Sequence, residues 1–151
     1  MLSLNNDEII NLLEIKPPFL MIDRVDKIIP GKSCYAVKKL KKEDWFFKCH
    51  LEREMVMPGA LLIEAMLQTL VLTIYTLEEN KGGLSYVTDI TTKLFSKVSP
   101  DSQLDIYADL LSYKRGIAKG LVKAKVNNKN VCQGEFKLIS PHDMPTPRGI
   151  N

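Results

Sequence analysis

The sequence predicts an α+β fold in which an antiparallel β-sheet wraps around one long central helix. One observation is the stretch from residue 60 to residue 77, ALLIEAMLQTLVLTIYTL, whose almost uniform apolarity predicts a helix buried on most faces. A second observation is the series of segments after it, in which apolar and polar residues alternate with period two, as in antiparallel strands that face a core on one side. With 151 residues, 45% hydrophobic and 26% charged, the chain has the size and composition of one globular domain.

Three elements are predicted before the central helix. They are a helix at residues 4–14, a strand at 19–29 and a strand at 33–40. Asn6 or Asp7 is the expected cap of the first helix, and residues 41–57 are expected to be irregular. Prolines and glycines mark the boundaries, which are Pro17-Pro18, the turn Pro30-Gly31-Lys32, Pro58-Gly59 at the start of the central helix, and Gly82-Gly83 at its end.

Four strands are predicted after the central helix. They occupy residues 84–98, 104–110, 118–126 and 132–138, separated by turns at Ser99-Pro100-Asp101, Lys114-Arg115-Gly116 and Asn127–Asn130. A curved antiparallel sheet supplies the surface that a single apolar helix needs, so the expected arrangement is a hot-dog fold over residues 1–139. Residues 140–151 are proline-rich without periodicity and are expected to form a flexible tail. One sheet edge stays open, which predicts pairing with a second copy.

Charge and composition exclude several classes of function. The net charge of +3 is spread without a concentrated basic stripe, so no nucleic-acid partner is expected. The mild excess fits either a solvated face or a docking patch for an acidic partner. Three cysteines without a Cys-x-x-Cys pair and two histidines provide neither a disulfide framework nor a zinc site. Without a signal-peptide pattern, the expected location is the cytoplasm, and Glu64 and Gln68 argue against reading residues 60–77 as a membrane span.

Glu64 is the most informative single residue. It lies between Ile63 and Ala65 in the apolar helix, with Gln68 four positions later on the same face. Either Glu64 bonds to a local polar group or reaches the surface, or it lies in an apolar cleft where desolvation raises its pKa. A carboxyl of the second kind suits general-acid chemistry.

His50 and the start of the central helix complete a set of reactive groups. His50 follows the aromatic residues 45–47, which are expected to be packed, and imidazole is the natural general base near neutral pH. The backbone N–H groups after Pro58 are unpaired at the helix N-terminus, and Gly59 lets a ligand approach them. A base, an acid and an oxyanion site together fit the loss of a proton α to a thioester carbonyl with expulsion of a β-hydroxyl as water.

Three blocks of sequence carry a family resemblance. They are WFFKCH at residues 45–50, VMPG at 56–59 and EAMLQ at 64–68. They resemble the β-hydroxyacyl-acyl-carrier-protein dehydratases of the FabZ and FabA type. The opening block PFLMIDRV at residues 18–25 and the turn at 114–119 resemble FabZ, as does glutamate at position 64, whereas WFFKCH resembles the FabA branch.

The resemblance implies roles for particular residues. His50 and Glu64 would be catalytic, the Gly59 amide would bind the thioester carbonyl, and Gln68 and Pro58 would support them. It also implies that histidine and carboxyl come from different subunits of a homodimer, which in FabZ-type enzymes forms a trimer of dimers.

The substrate implied by the resemblance is a 3-hydroxyacyl chain on the phosphopantetheine arm of acyl carrier protein, with no metal or other cofactor. The residues assigned to carrier docking are Lys93, Lys97, Lys114 and Arg115.

The chain also departs from the family pattern. Residues 51–55, LEREM, stand where the family has a segment with proline and glycine, and Asp101 stands at a turn glycine. FabA-like features allow an added isomerase activity. Two other functions stay open, namely a hot-dog acyl thioesterase in which Glu64 activates water, and a non-catalytic subunit that binds acyl thioesters.

Overall fold

A computed structural model describes residues 1–145 and contains seven strands, three α-helices and two short 3₁₀ turns in that range. The strands are β1 (Leu2–Leu4), β2 (Arg24–Ile29), β3 (Ser33–Leu40), β4 (Tyr86–Leu94), β5 (Ser102–Lys114), β6 (Ile117–Val126) and β7 (Lys129–Ile139). The helices are α1 (Asn6–Leu13), α2 (Trp45–Cys49) and α3 (Gly59–Tyr75), and the 3₁₀ turns are Glu78–Asn80 and Pro141–Asp143.

The strands form one antiparallel sheet in the order β1-β2-β3-β5-β6-β7-β4. Helix α3 packs against the sheet through residues one helical turn apart, and Leu62, Met66 and Leu70 are each at most 1% exposed. A side chain at Gly120 would collide with Leu70, so this glycine lets α3 lie close to β6. The predicted α+β class, with a sheet wrapped around one central helix, is confirmed.

The hairpins after α3 follow the turn chemistry predicted for them. Asn127 and Asn128 have φ of 49° and 65°, and Arg115 and Gly116 have φ of 52° and 75°. Two successive left-handed residues make the two-residue turn whose twist matches that of the flanking strands. The turn between β6 and β7 is therefore two residues long, shorter than the predicted loop.

The predicted strand at residues 19–29 was wrong in its first half, because β2 begins only at Arg24. In the preceding segment, the Met21 N–H donates to the Gln68 side chain at 2.8 Å and the Phe19 carbonyl accepts from it at 3.0 Å. These backbone groups bond to a side chain of α3 instead of to a neighbouring strand.

Other boundaries also differ from the prediction. The cap of α1 is Asn5, not Asn6 or Asp7, and its side chain accepts from the Glu8 N–H in a capping box. Helix α3 ends at Tyr75, before the glycines expected to close it, and β4 is shorter than predicted. The short elements β1 and α2 were not predicted, because they lie below the length at which periodicity is informative.

Strand β4 lies at one edge of the sheet and leaves apolar side chains uncovered. Ile90 and Leu94 pair with Phe136 and Cys132 on the core side of the sheet, yet they are 46% and 48% exposed. The division of the chain at residue 139 stays a prediction. Residues 140–145 of the predicted tail are described and include the turn Pro141–Asp143, and the rest of the tail lies outside the described residues.

Candidate active site

Glu64 lies in the second turn of α3, half-buried between the helix and the segment that leads into β4. Burial raises the pKa of its carboxyl, and a hydrogen bond from Gln68 Nε2 to Glu64 Oε1, 3.0 Å long, offsets part of that rise. A carboxyl that keeps its proton above the usual range is suited to give that proton to a leaving group.

The Gln68 amide holds Glu64 in a defined position. Gln68 is 1% exposed and makes three hydrogen bonds. Its Nε2 donates to Glu64 Oε1 and to the Phe19 carbonyl, and its Oε1 accepts from the Met21 N–H. Because a carbonyl accepts and an N–H donates, these partners determine which end of the amide faces Glu64. The segment before β2 therefore orients the carboxyl through one buried side chain.

A cleft of about 350 Å³ opens beside Glu64. One wall is a single face of α3, at residues Glu64, Leu67, Gln68, Val71 and Tyr75. The other walls come from the end of α1, the start of β4 and the end of β7. They are formed by residues Leu13, Glu14, Ile15, Leu84, Ser85, Val87 and Leu138. Since the lining is mainly apolar, the cleft suits a hydrophobic chain with Glu64 at one end.

His50 directly follows α2, with its ring nitrogen Nδ1 3.2 Å from the Val56 carbonyl oxygen. A carbonyl oxygen only accepts, so this bond places the proton on Nδ1 and leaves a lone pair on Nε2. Phe46 and Phe47 anchor α2 in the core, but the expectation that all three aromatics are packed was wrong for Trp45. Trp45 is 43% exposed, and its Nε1 donates to the Pro18 carbonyl at 3.1 Å.

Gly59 begins α3, and no acceptor within residues 1–145 bonds to its N–H. A Cβ at this position would lie 2.8 Å from Leu94 Cδ2, so β4 closely approaches the helix start. The Pro58 carbonyl accepts from the N–H groups of Leu61 and Leu62 and starts the helical pattern. The free N–H and the positive end of the helix dipole are able to stabilise negative charge on a bound oxygen.

His50 does not line the cleft beside Glu64 within one protomer. Within the described residues of one protomer, His50, Gly59 and Glu64 thus lie on neighbouring elements but do not line the same cleft.

The loop at residues 51–55 is held by local bonds. Leu51 and Met55 adopt left-handed backbone angles, with φ of 46° and 47°, and the Leu51 carbonyl accepts from the N–H groups of Glu54 and Met55. Lys97 Nζ lies 2.6 Å from Glu54 Oε2 and lowers the pKa of Glu54. This loop closes without the proline and glycine expected from the resemblance. Asp101 stands at the turn position where the family has glycine. Its φ is 61°, a left-handed conformation that aspartate tolerates better than most residues.

The four cations assigned to docking do not form one patch on a protomer. In the register of the sheet, Lys93 on β4 lies opposite Gln133 on β7. Lys114 on β5 lies opposite Ile117 on β6, which in turn lies opposite Ile139 on β7. Six residues of strand separate these two points, which is about 20 Å. Lys93 and Lys97 lie at the end of β4 nearest Gly59, while Lys114 and Arg115 lie at the opposite end of the sheet.

The contact between Gln68 and Glu64 was predicted from the sequence, but the two backbone partners of Gln68 were not. The backbone groups of Phe19 and Met21 leave no signature in the sequence because any residue carries them. The walls contributed by the end of α1 and the start of β4 were missed for the same reason, since only the fold brings them to α3.

Within the described residues, no group of three or more histidine, cysteine, aspartate and glutamate side chains is placed to hold a metal ion. No helix in residues 1–145 is both long and apolar enough to cross a membrane.

Comparison with known proteins finds close relatives along most of the chain. A family profile described as a FabA-like domain matches residues 14–135. A 3-hydroxyacyl-[acyl-carrier-protein] dehydratase FabZ from Ruminiclostridium cellulolyticum is 38% identical over 136 residues, which cover 89% of this chain and 96% of that protein. The FabZ of Clostridioides difficile is 32% identical over 139 residues, covering 90% of this chain and 98% of that protein.

Solved structures share the fold at low sequence identity. The dehydratase heterocomplex ApeI:P from Xenorhabdus doucetiae aligns with a TM-score of 0.72 and 14% identity, covering 88% of this chain and 90% of that chain. A hypothetical thioesterase with coenzyme A from Streptococcus pneumoniae aligns with a TM-score of 0.63 and 15% identity, covering 77% of this chain and 83% of that chain. Both confirm a hot-dog architecture and, at such identities, nothing finer.

Proposed function

The chain belongs to the FabA-like family and, within it, to the 3-hydroxyacyl-acyl-carrier-protein dehydratases of the FabZ type, and from this premise we propose how its residues remove water from the substrate. The resemblance seen in the sequence is confirmed. The enzyme is a hydro-lyase of fatty acid biosynthesis that converts a 3-hydroxyacyl thioester into the trans-2-enoyl thioester.

His50 is the proposed base. The Val56 carbonyl keeps the ring proton on Nδ1, so the lone pair on Nε2 takes a proton from C2 of the substrate. Electron density then moves toward the thioester oxygen, where the free N–H of Gly59 stabilises it. Removal of one such donor typically costs about 10²–10³ in rate.

Glu64 is the proposed acid. Burial raises the pKa of its carboxyl, which suits Glu64 to give a proton to the C3 hydroxyl as the C3–O bond breaks. Water leaves, the C2–C3 double bond forms, and the enzyme is left with protonated His50 and ionised Glu64. Transfer of one proton from the imidazolium to the carboxylate, directly or through water, restores the starting state.

The active site is proposed to form between two protomers. Two observations support this arrangement. His50 is absent from the lining of the cleft beside Glu64, and the apolar residues Ile90 and Leu94 on β4 are left uncovered at the sheet edge. A symmetric dimer that pairs the two β4 edges would cover them and give each cleft a histidine from the partner. The assembly is this homodimer or a trimer of such dimers, and sedimentation distinguishes the two.

Acyl carrier protein is the proposed partner. Lys93 and Lys97 lie near the start of α3, so they are the docking cations closest to the proposed reaction centre, and Lys114 and Arg115 would act only in an assembly that brings them there. The proposed enzyme needs no metal or other cofactor and acts in the cytoplasm.

The observation that carries the proposal is the environment of Glu64. Its carboxyl is half-buried at one end of an apolar cleft and oriented by a fully buried amide. The FabZ relatives align along almost their whole length, so the reaction assigned to this carboxyl is theirs.

A complementation experiment tests the catalytic roles and the shared site together. His50→Ala and Glu64→Gln should each reduce turnover by at least about 10²-fold, measured by the absorbance of the enoyl thioester. When the two variants are co-expressed with different tags, half of the dimers are mixed, and each mixed dimer has one intact site. The preparation should then recover about a quarter of the wild-type rate, as expected for a symmetric dimer.

Each other outcome overturns a specific part of the proposal. No recovery in mixed dimers that are shown to form would place both groups of a site in one chain. Wild-type rates in either single variant would remove that residue from the mechanism. Release of free thiol from the wild-type protein without formation of enoyl product would favour the thioesterase, and tight acyl-carrier binding without turnover would favour the non-catalytic subunit.

A further inference from the structure

The apolar cleft adjoins another cavity near the end of α3. A second cavity, of about 460 Å³, shares Tyr75, Leu84 and Ser85 with the cleft and lies beyond them. We call this second cavity the distal chamber. Because the same three residues line both spaces, the distal chamber adjoins the end of the cleft that lies away from Glu64.

The distance from Glu64 to this boundary sets the length of chain that reaches it. Tyr75 is eleven positions after Glu64 in α3, or about 16 Å along the helix. An extended acyl chain advances roughly 1.25 Å per carbon, given a C–C bond near 1.5 Å. The chamber therefore begins roughly 13 carbons beyond the reacting centre.

The distal chamber is mainly apolar, like the cleft, but two of its side chains can form hydrogen bonds. Ile74, Leu84 and Ala118 contribute apolar surface to the chamber, and Asn80 and Tyr113 contribute an amide and a hydroxyl that do not line the cleft. The Tyr113 hydroxyl donates to Asn80 Oδ1 at 3.0 Å. Asn80 Nδ2 is shielded from solvent and has no acceptor within the described residues. The far end of the path thus offers hydrogen-bonding groups that an alkyl end does not use.

A β-bulge places Tyr113 in the chamber. Residues Leu104, Ile106 and Ala108 face the core, so strict alternation along β5 would turn Tyr113 outward together with Tyr107. The register of β5 against β6 shifts between Leu110 and Ser112, which reverses the alternation and turns Tyr113 inward.

We propose that the distal chamber is a specificity subsite for the far end of the acyl chain and that it selects long chains ending in a hydroxyl group. This inference rests on the proposed function, since it assigns the substrate class of the same site. The oxygen of a substrate hydroxyl in the chamber can accept a hydrogen bond from Asn80 Nδ2 after a small shift of the Asn80 amide. The same substrate hydroxyl can form a hydrogen bond with the Tyr113 hydroxyl. A methyl end would remove water from these groups without replacing its hydrogen bonds. Sites that hydrogen-bond a substrate hydroxyl discriminate strongly against the analogue that lacks it.

Two substrates of equal length test the inference. Both are 3-hydroxyacyl thioesters of roughly 16 carbons, which is the reacting centre plus the span of the cleft, and only one carries a terminal hydroxyl. Wild-type kcat/KM should be at least about tenfold higher for the hydroxyl-ended substrate, mainly through KM. The ratio should fall toward one in Tyr113→Phe and in Asn80→Leu. Tyr107→Phe loses a hydroxyl on the outer face of the same strand and should keep the wild-type ratio.

The ratio of two substrates on one variant cancels any loss of folded protein, so a purely structural effect does not change it. A wild-type ratio of one or less overturns the inference, and so does equal loss of the ratio in the Tyr107 control. A short thioester that ends before Tyr75 monitors the reaction itself. If wild-type enzyme turns over the short thioester but does not discriminate between the long ones, only the chamber's role is wrong. If no thioester of any length is dehydrated, the proposed function fails and this inference fails with it.

Discussion

Replacement of Gln68 by methionine tests whether one buried amide supports both the fold and the candidate active site. Methionine has a similar shape and volume, so the variant removes three hydrogen bonds without opening a large cavity. The Met21 N–H would be left buried without an acceptor, since Met21 is 1% exposed. Such an orphaned group costs about 1–3 kcal/mol. Phe19 is 50% exposed, so water partly replaces the bond to its carbonyl.

The expected loss in the free energy of unfolding is therefore about 2–4 kcal/mol, most of it from the orphaned N–H. For a chain of this size that corresponds to a fall in Tm of roughly 6–12 °C, measured by differential scanning calorimetry. The kinetics should change as well. The bond from Gln68 lowers the Glu64 pKa, so its removal raises that pKa further. The fall in activity at alkaline pH, where the acid loses its proton, should move to higher pH.

Gln133→Met is the matched control, since Gln133 is an exposed glutamine on β7. Its stability should change by no more than about 0.5 kcal/mol. If Gln68→Met unfolds at the same temperature as this control, the three hydrogen bonds do not hold the segment before β2. If its alkaline limb stays in place, Gln68 does not tune Glu64.

Three further predictions concern the acid, the interface and docking. Glu64→Gln should lose activity without a fall in Tm at neutral pH, because burial raises the Glu64 pKa and ionisation therefore destabilises the folded wild type. As the pH rises, the carboxyl loses its proton later in the folded protein than in the unfolded chain, so the stability of the wild type relative to the variant should decline between the two pKa values. In acid, where both forms are protonated, the difference in Tm between wild type and variant should disappear. Tm measured between about pH 4 and 8 tests this, and a difference in Tm that does not change with pH contradicts it. Ile90→Lys should shift sedimentation toward monomers with an unchanged circular dichroism spectrum, because it places a charge in the uncovered row on β4. The double variant Lys93→Glu with Lys97→Glu should raise KM about tenfold for carrier-bound substrate but not for a coenzyme A thioester. The control variant Lys27→Glu, on β2 near the opposite edge of the sheet, should change KM for neither substrate.

Prediction from the sequence succeeded where a pattern repeats over many residues. The apolar stretch became α3, and the period-two runs became β5, β6 and β7, because burial on one face dictates the spacing of apolar residues in each element. Turns followed for a local reason, since Asn127, Asn128 and Gly116 supply the left-handed angles that two-residue hairpins require. Prediction failed at residues 19–23, where a distant side chain takes the backbone bonds that would have formed a strand.

The candidate site divides in the same way. His50, Gly59 and Glu64 could be named in advance because each residue type carries its own chemistry, and a carboxyl within an apolar helix is conspicuous in any sequence. Their surroundings could not. The tautomer of His50 depends on the Val56 carbonyl, the orientation of Glu64 depends on backbone groups more than forty residues away from Gln68, and the inward turn of Tyr113 depends on a bulge. These features arise from backbone atoms that every residue shares and from register between strands, so they exist only once distant parts of the chain have packed together.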